Sequence, residues 1–106
     1  MLNAWEDVSA SSTDEVLVDG ITGKKIRVRS FIINQGDTTA STVVFNSKGT
    51  GAGTAISPTF KFAANGGVIG DNPTGWFETA AGEALTVSTG SGSDTGILVT
   101  YDRVRG

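Results

Sequence analysis

The chain has no histidine and no cysteine, so the chemistry open to it is narrow. Without an imidazole or a thiol there is no Ser–His or Cys–His nucleophile, no thiolate metal site and no disulfide. Paired carboxylates are the remaining catalytic option. Glu78 and Glu83 flank the segment "TAAG", and general acid–base work needs two carboxyls held in unlike environments. The simpler reading of this pair is a solvated loop edge. Oxygen-donor metal binding would draw on Asp71 with Asn72, or on "SDT" around Asp94, but neither has the spacing of a known cation loop. The glycine-rich "KGTGAG" is not followed by Gly-Lys-Ser/Thr or by the start of a helix, so it reads as a flexible loop and not as a phosphate cradle.

The densest charge lies in "GKKIRVRS", residues 23–30, where Lys24, Lys25, Arg27 and Arg29 supply half of the 8 positive side chains. Nucleic-acid binding would need stacking aromatics beside this run and a field that favours association. The net charge is −3 and the pI near 4.7, so the overall field repels polyphosphate and anionic membrane surfaces alike. Alternating charge on a strand more often solvates an exposed face or pairs with carboxylates opposite.

These residues need a scaffold, and the patterning says which kind. A chain of 106 residues makes one domain. Its 38 % hydrophobic and 18 % charged content fits a folded protein. Apolar residues come in short period-2 runs separated by Gly, Asn, Asp and Ser clusters, with no sustained helical stripe. The 15 glycines suit turns, and the many threonines suit a pleated surface. The fold expected is a single all-β antiparallel sandwich. Strands are expected at Ala4–Ala10, Glu15–Asp19, Lys24–Ile33, Ser41–Asn46, Ala55–Phe62, Gly75–Thr79, Glu83–Thr89 and Thr95–Val104, with "GGVIG" as a short ninth. Turns are read at "DGITG", "NQGDT", "ANGG", "GDNPTG" and "TGSGSDTG". "TAAGEALTV" reads as a turn followed by a strand. Residues 1–13 form an N-terminal arm or edge strand, and 14–106 the sandwich. The opening "MLNAWEDVSA" meets acid before any apolar run, so it is not expected to be a signal peptide or a spanning helix.

The longest strand poses a parity problem. With Ile26 and Val28 toward the core, Lys25, Arg27 and Arg29 fall on the opposite face, and so do Phe31 and Ile33. A β-bulge near Ser30 would switch the phase; otherwise a neighbouring subunit covers Phe31 and Ile33. The second copy is the favoured expectation. "ILVTYDRV" is apolar on both parities too, with Leu98 and Val104 on one and Ile97, Val99 and Tyr101 on the other. Phe45, Phe60, Phe62 and Phe77 are expected in the core. Trp5 is read as an anchor on a neighbour or on its own sheet.

The order of "VLVDGITGKKIRVRSFII" and "FAANGGVIGDNPTGWFETAAGEALTVSTGSGSDTGILVTYDRV" resembles small β-sandwich virion proteins of tailed bacteriophages, namely capsid decoration (cement) and head-fibre proteins. The matching pieces are the Gly-Lys-Lys-Ile turn, the "AANGG" corner, the "PTGW" strand entry, "GEALTV" and the closing strand through Tyr101, together spanning roughly Val16 to Val104. They mark turns and core strands and carry no chemistry. The resemblance implies a jelly-roll-like sandwich of about eight strands, commonly a homotrimer on the exterior of the capsid. It also implies a structural role stabilising neighbouring major capsid proteins, with no cofactor, metal, nucleic acid or membrane. The contact candidates are Trp5, Lys25, Arg27, Arg29, Phe31, Ile33, Tyr101, Arg103 and Arg105. The alternative is a receptor- or glycan-binding module of a head fibre or tail using Trp76, Tyr101 or the Gly/Ser loops.

Overall fold

Short alternating runs joined by glycine-rich turns bury one face per strand, so two sheets must close on each other. The computed structural model describes residues 2–35, 40–63, 65–90 and 94–106, and among these all regular structure is β. The strands are β1 (Leu2–Val8), β2 (Glu15–Val18), β3 (Lys24–Gln35), β4 (Ser41–Lys48), β5 (Thr54–Ala55), β6 (Phe60–Phe62), β7 (Gly67–Asp71), β8 (Phe77–Glu78), β9 (Ala84–Thr89) and β10 (Thr95–Arg105). The run Ala55–Phe62 is thus two short pieces, and "GGVIG" is a strand in its own right. The turns expected at "NQGDT", "ANGG" and "TGSGSDTG" fall partly outside the described residues.

One sheet runs β1-β10-β3-β7, with β8 also paired to β3; the other runs β2-β9-β4-β5, with β6 also paired to β4. All pairings are antiparallel. β7 and β8 occupy one lane beside β3, and β5 and β6 one lane beside β4, so each sheet has four lanes. The first lane pairs with the last (β1 with β10), the second with the next-to-last (β2 with β9), β3 with β7/β8, and β4 with β5/β6. A long folded hairpin rolled so that β10 also meets β3 and β9 also meets β4 is a jelly roll. β1 is therefore an edge strand of the first sheet, hydrogen-bonded to β10 along its whole length.

The core lies between the sheets and consists of Val8, Val18, Ile26, Val28, Phe31, Ile33, Val43, Phe45, Leu85, Val87, Ile97, Val99 and Tyr101. Phe60, Phe62 and Phe77 pack at its margin. The Phe31 ring sits at the centre of an aromatic cluster, with centroids 6.0 Å from Phe45, 5.5 Å from Phe60, 5.7 Å from Trp76 and 6.2 Å from Phe77.

A bulge at Arg29 resolves the parity problem of β3. Thr100 opposes Ser30 and Tyr101 opposes Val28, leaving Arg29 as the extra residue. The β3 edge facing β7 and β8 is interrupted at the same place. The corner between them donates Asn72 N to Arg29 O at 2.9 Å and Trp76 N to Val28 O at 2.8 Å, so the bulged backbone keeps its partners. Beyond the bulge the strand reverses phase, and Phe31 and Ile33 join Ile26 and Val28 in the core. The expectation that a second copy covers Phe31 and Ile33 is corrected: they pack inside their own chain. Tyr101 is likewise buried, 8 % exposed, and its ring lies 5.8 Å from the Arg103 guanidinium carbon.

The turns follow local chemistry. Gly23 and Gly82 adopt positive φ, as glycine allows without strain, and the tight turn through "TAAGE" closes by Glu83 N to Ala80 O at 3.1 Å before β9 begins. On the outer side of the second sheet the loop before β5 is tied down by Asp14. Its carboxylate accepts from Gly53 N at 3.0 Å, Asn46 Nδ2 at 3.1 Å and Thr86 Oγ1 at 3.0 Å.

Candidate functional site

The phase reversal at Arg29 also decides what the outer face of the first sheet presents. With Phe31 and Ile33 inside, Ser30, Ile32 and Asn34 point outward, together with Asn3, Trp5 and Asp7 of β1, Gly96, Leu98 and Thr100 of β10, and Gly67, Ile69 and Asp71 of β7. The registers align these residues into rungs that cross all four lanes. Trp5 opposes Leu98, Leu98 opposes Ile32, and Ile32 opposes Ile69, making one continuous apolar rung. Trp5 is 69 % exposed, Ile69 74 % and Ile32 43 %.

Polar rungs flank it on both sides. On one side stand Asn3, Thr100, Ser30 and Asp71; on the other, Asp7, Gly96, Asn34 and Gly67. An apolar centre with a polar rim is the anatomy of a protein–protein contact. Gly96 and Gly67 lack side chains, so the Asp7 rung is recessed. Two depressions result, one of ≈ 260 Å³ beside Trp5, Asp7, Gly96 and Leu98, and one of ≈ 400 Å³ beside Gly67 and Ile69. Both reach Ile32 and Asn34.

Farther along the same face the basic ladder meets carboxylates of its own chain. Arg27 Nε lies 3.0 Å from Glu78 Oε2, Lys25 Nζ 3.5 Å from Glu78 Oε1, and Arg29 Nε 2.7 Å from Asp102 Oδ2. Arg29 also donates to the carbonyl of Pro73. The hydrogen bond from Arg27, aided by the charge of Lys25, holds the Glu78 carboxyl below its ordinary range. Lys25, Arg27 and Arg29, read from the sequence as contacts to other chains, are thus engaged within this one, which removes most of the free positive charge a nucleic-acid surface would need. Arg103 turns toward the end of the sandwich, where Nη2 donates to Asp19 O at 3.0 Å, and Arg105 is exposed at the last residue of β10.

Of the contact candidates read from the sequence, Trp5 alone lies on the apolar rung. Ile32, Ile69 and Leu98 were missed. The signal for Ile32 and Leu98 was present in the apolar content of both parities of β3 and β10, but the parity that stays outside depends on the bulge; Ile69 stood in the short "GGVIG" strand, whose place beside β3 no local pattern shows.

Glu78 and Glu83 do not form a pair. Glu78 binds Arg27 and Lys25 on the first sheet, whereas Glu83 accepts from Ser47 Oγ of β4, at 2.6 Å, on the second. Among the described residues no three carboxylates converge on a potential metal position. Trp76, 48 % exposed, borders a groove of ≈ 340 Å³ with Arg27, Thr74, Gly75 and Glu78. Tyr101 is buried and cannot join Trp76 in the sugar platform considered above.

No protein-family model matches the sequence, no curated protein matches it, and no solved structure matches it.

Proposed function

We propose that this chain is a structural virion protein of the capsid-decoration kind, a non-enzymatic module that binds the exterior of a phage head as a homo-oligomer and stabilises neighbouring major capsid proteins. The observation that carries the reading is the apolar rung Trp5–Leu98–Ile32–Ile69, flanked by polar rungs on the outer face of the first sheet. A continuous apolar rung rimmed by polar residues marks an interaction surface, and an assembly module uses it as the centre of a contact. The jelly-roll topology and the sequence resemblance point the same way, and the resemblance implies three copies. Multivalent grip suits a protein that clamps a shell, because several weak contacts made together hold far longer than one.

The test is co-sedimentation with expanded heads of the parent phage that lack this protein. Saturable binding, together with greater resistance of the decorated heads to heat or chelator, is the expected result. Purified protein that neither sediments with such heads nor changes their stability overturns the reading.

A further inference from the structure

The outer face of the first sheet is self-complementary, and we propose that its occupant is a second copy of the same chain, packed face to face about a two-fold axis parallel to the strands. The inference rests on the reading above only in that the chain assembles with itself, and it departs from the three copies implied by the resemblance: two-fold pairing takes their place.

An axis parallel to the strands and centred between β10 and β3 exchanges the lanes, β1 with β7 and β10 with β3, and leaves each rung opposite itself. Trp5 then meets Ile69 of the second copy and Leu98 meets Ile32, so the apolar rung closes on itself. In one flanking rung Asn3 meets Asp71 and Thr100 meets Ser30, an amide donor against a carboxylate and hydroxyl against hydroxyl. In the other, Asp7 meets Gly67 and Asn34 meets Gly96, so each recess left by a glycine receives a side chain. Beyond the bulge Asp102, which opposes Arg27 within one sheet, meets Arg27 of the second copy. No acid meets an acid in any rung, which matters for a chain of net charge −3.

A two-fold axis along the rungs brings Trp5 onto Trp5 and carries the Arg27/Asp102 end of the face past the opposite end of the other copy. The strand-parallel axis keeps both ends of the face in contact. It also suits the shared twist of the two sheets, which lets aligned faces pack about 10 Å apart. The exposed apolar rung amounts to on the order of 400 Å² per copy. With its flanking rungs the contact reaches the low end of specific interfaces, roughly 1,200 Å² in total. Association at micromolar concentration is the scale to expect.

The experiment measures mass by analytical ultracentrifugation across a concentration series, without capsids, so its outcome is independent of head binding. The wild-type chain is expected to reach the mass of two chains by about 100 μM. Ile69→Asp, at an exposed position, is expected to stay monomeric and folded, its stability in urea lowered by no more than the strand-propensity cost of about 1 kcal/mol. Because the chain has no cysteine, Asn3→Cys and Asp71→Cys variants mixed in equal amounts report the geometry. A short bis-maleimide is expected to join one variant to the other, and to join Asn3→Cys to itself far less. A monomer throughout the series, a mass of three chains, an oligomer indifferent to Ile69→Asp, or preferential self-linking of Trp5→Cys each overturns the proposal.

Discussion

Replacing Asp14 tests whether the outer side of the second sheet is held as described. Its carboxylate accepts three hydrogen bonds, from Gly53 N, Asn46 Nδ2 and Thr86 Oγ1. Asp14→Ala strands these donors unequally. Asn46 keeps Ser88 Oγ at 3.0 Å, and the Gly53 amide can turn to water as its loop loosens. The Thr86 hydroxyl is fully buried and loses its acceptor, a loss that costs about 1–3 kcal/mol. Asp14 also sits at φ 50, a left-handed conformation that Asp and Asn tolerate and that costs alanine about 1 kcal/mol more. The expected destabilisation at neutral pH is about 3 kcal/mol for Asp14→Ala. It is about 1 kcal/mol less for Asp14→Gly, which removes the strain and keeps the hydrogen-bond loss.

The pH dependence has a definite sign. The Gly53 amide, with Thr86, Asn46 and the charge of Lys48, holds the Asp14 carboxyl below its ordinary 3.8 in the folded chain. A group whose pKa is lowered by folding contributes fully above its unfolded pKa, and that contribution is lost as pH falls through the folded value. Urea unfolding of wild type and Asp14→Ala at neutral pH and at about pH 2 should therefore show the gap between them shrinking in acid. A neutral-pH difference below about 1 kcal/mol, or a gap that does not shrink in acid, refutes the reasoning.

Further outcomes follow from the first sheet. A Cβ at Gly70 would lie 2.7 Å from Phe31 Cζ, and the Phe31 ring is enclosed by four other aromatic rings, so Gly70→Ala is expected to cost about 1–3 kcal/mol in urea unfolding, largely relieved when combined with Phe31→Leu. Thr79, 1 % exposed, accepts from Ile26 N at 3.0 Å through Oγ1; Thr79→Val leaves that buried amide without its acceptor and should lower the thermal midpoint by roughly 4–16 °C, equivalent to about 1–2 kcal/mol. Glu78→Gln, by contrast, breaks ion pairs whose side chains are about one-third exposed, so its effect should stay below about 1 kcal/mol and fade in high salt.

Much of the fold was legible in the chain because it rests on local chemistry. Alternating Val, Ile, Thr and Phe between glycine and asparagine clusters placed the strands, and "GGVIG" and the turn before "EALTV" read correctly for the same reason. Strand ends moved by a few residues, since pairing partners decide where a ladder stops. The jelly-roll order was expected from resemblance alone, because lane order depends on contacts between segments far apart in the chain.

The sequence alone dictated an all-β protein without imidazole or thiol chemistry, carrying a strand with more apolar residues than one face can bury. It could not decide which of those residues stay outside. That choice belongs to Arg29, where the Thr100–Tyr101 step on one side of β3 and the Asn72 and Trp76 amides on the other stabilise one extra residue. Because side chains alternate with a period of two, that single residue moves Phe31 and Ile33 into the core and turns Ile32 outward. Only the tertiary registers then set Ile32 between Leu98 and Ile69 and complete, with Trp5, the rung on which the proposed assembly rests.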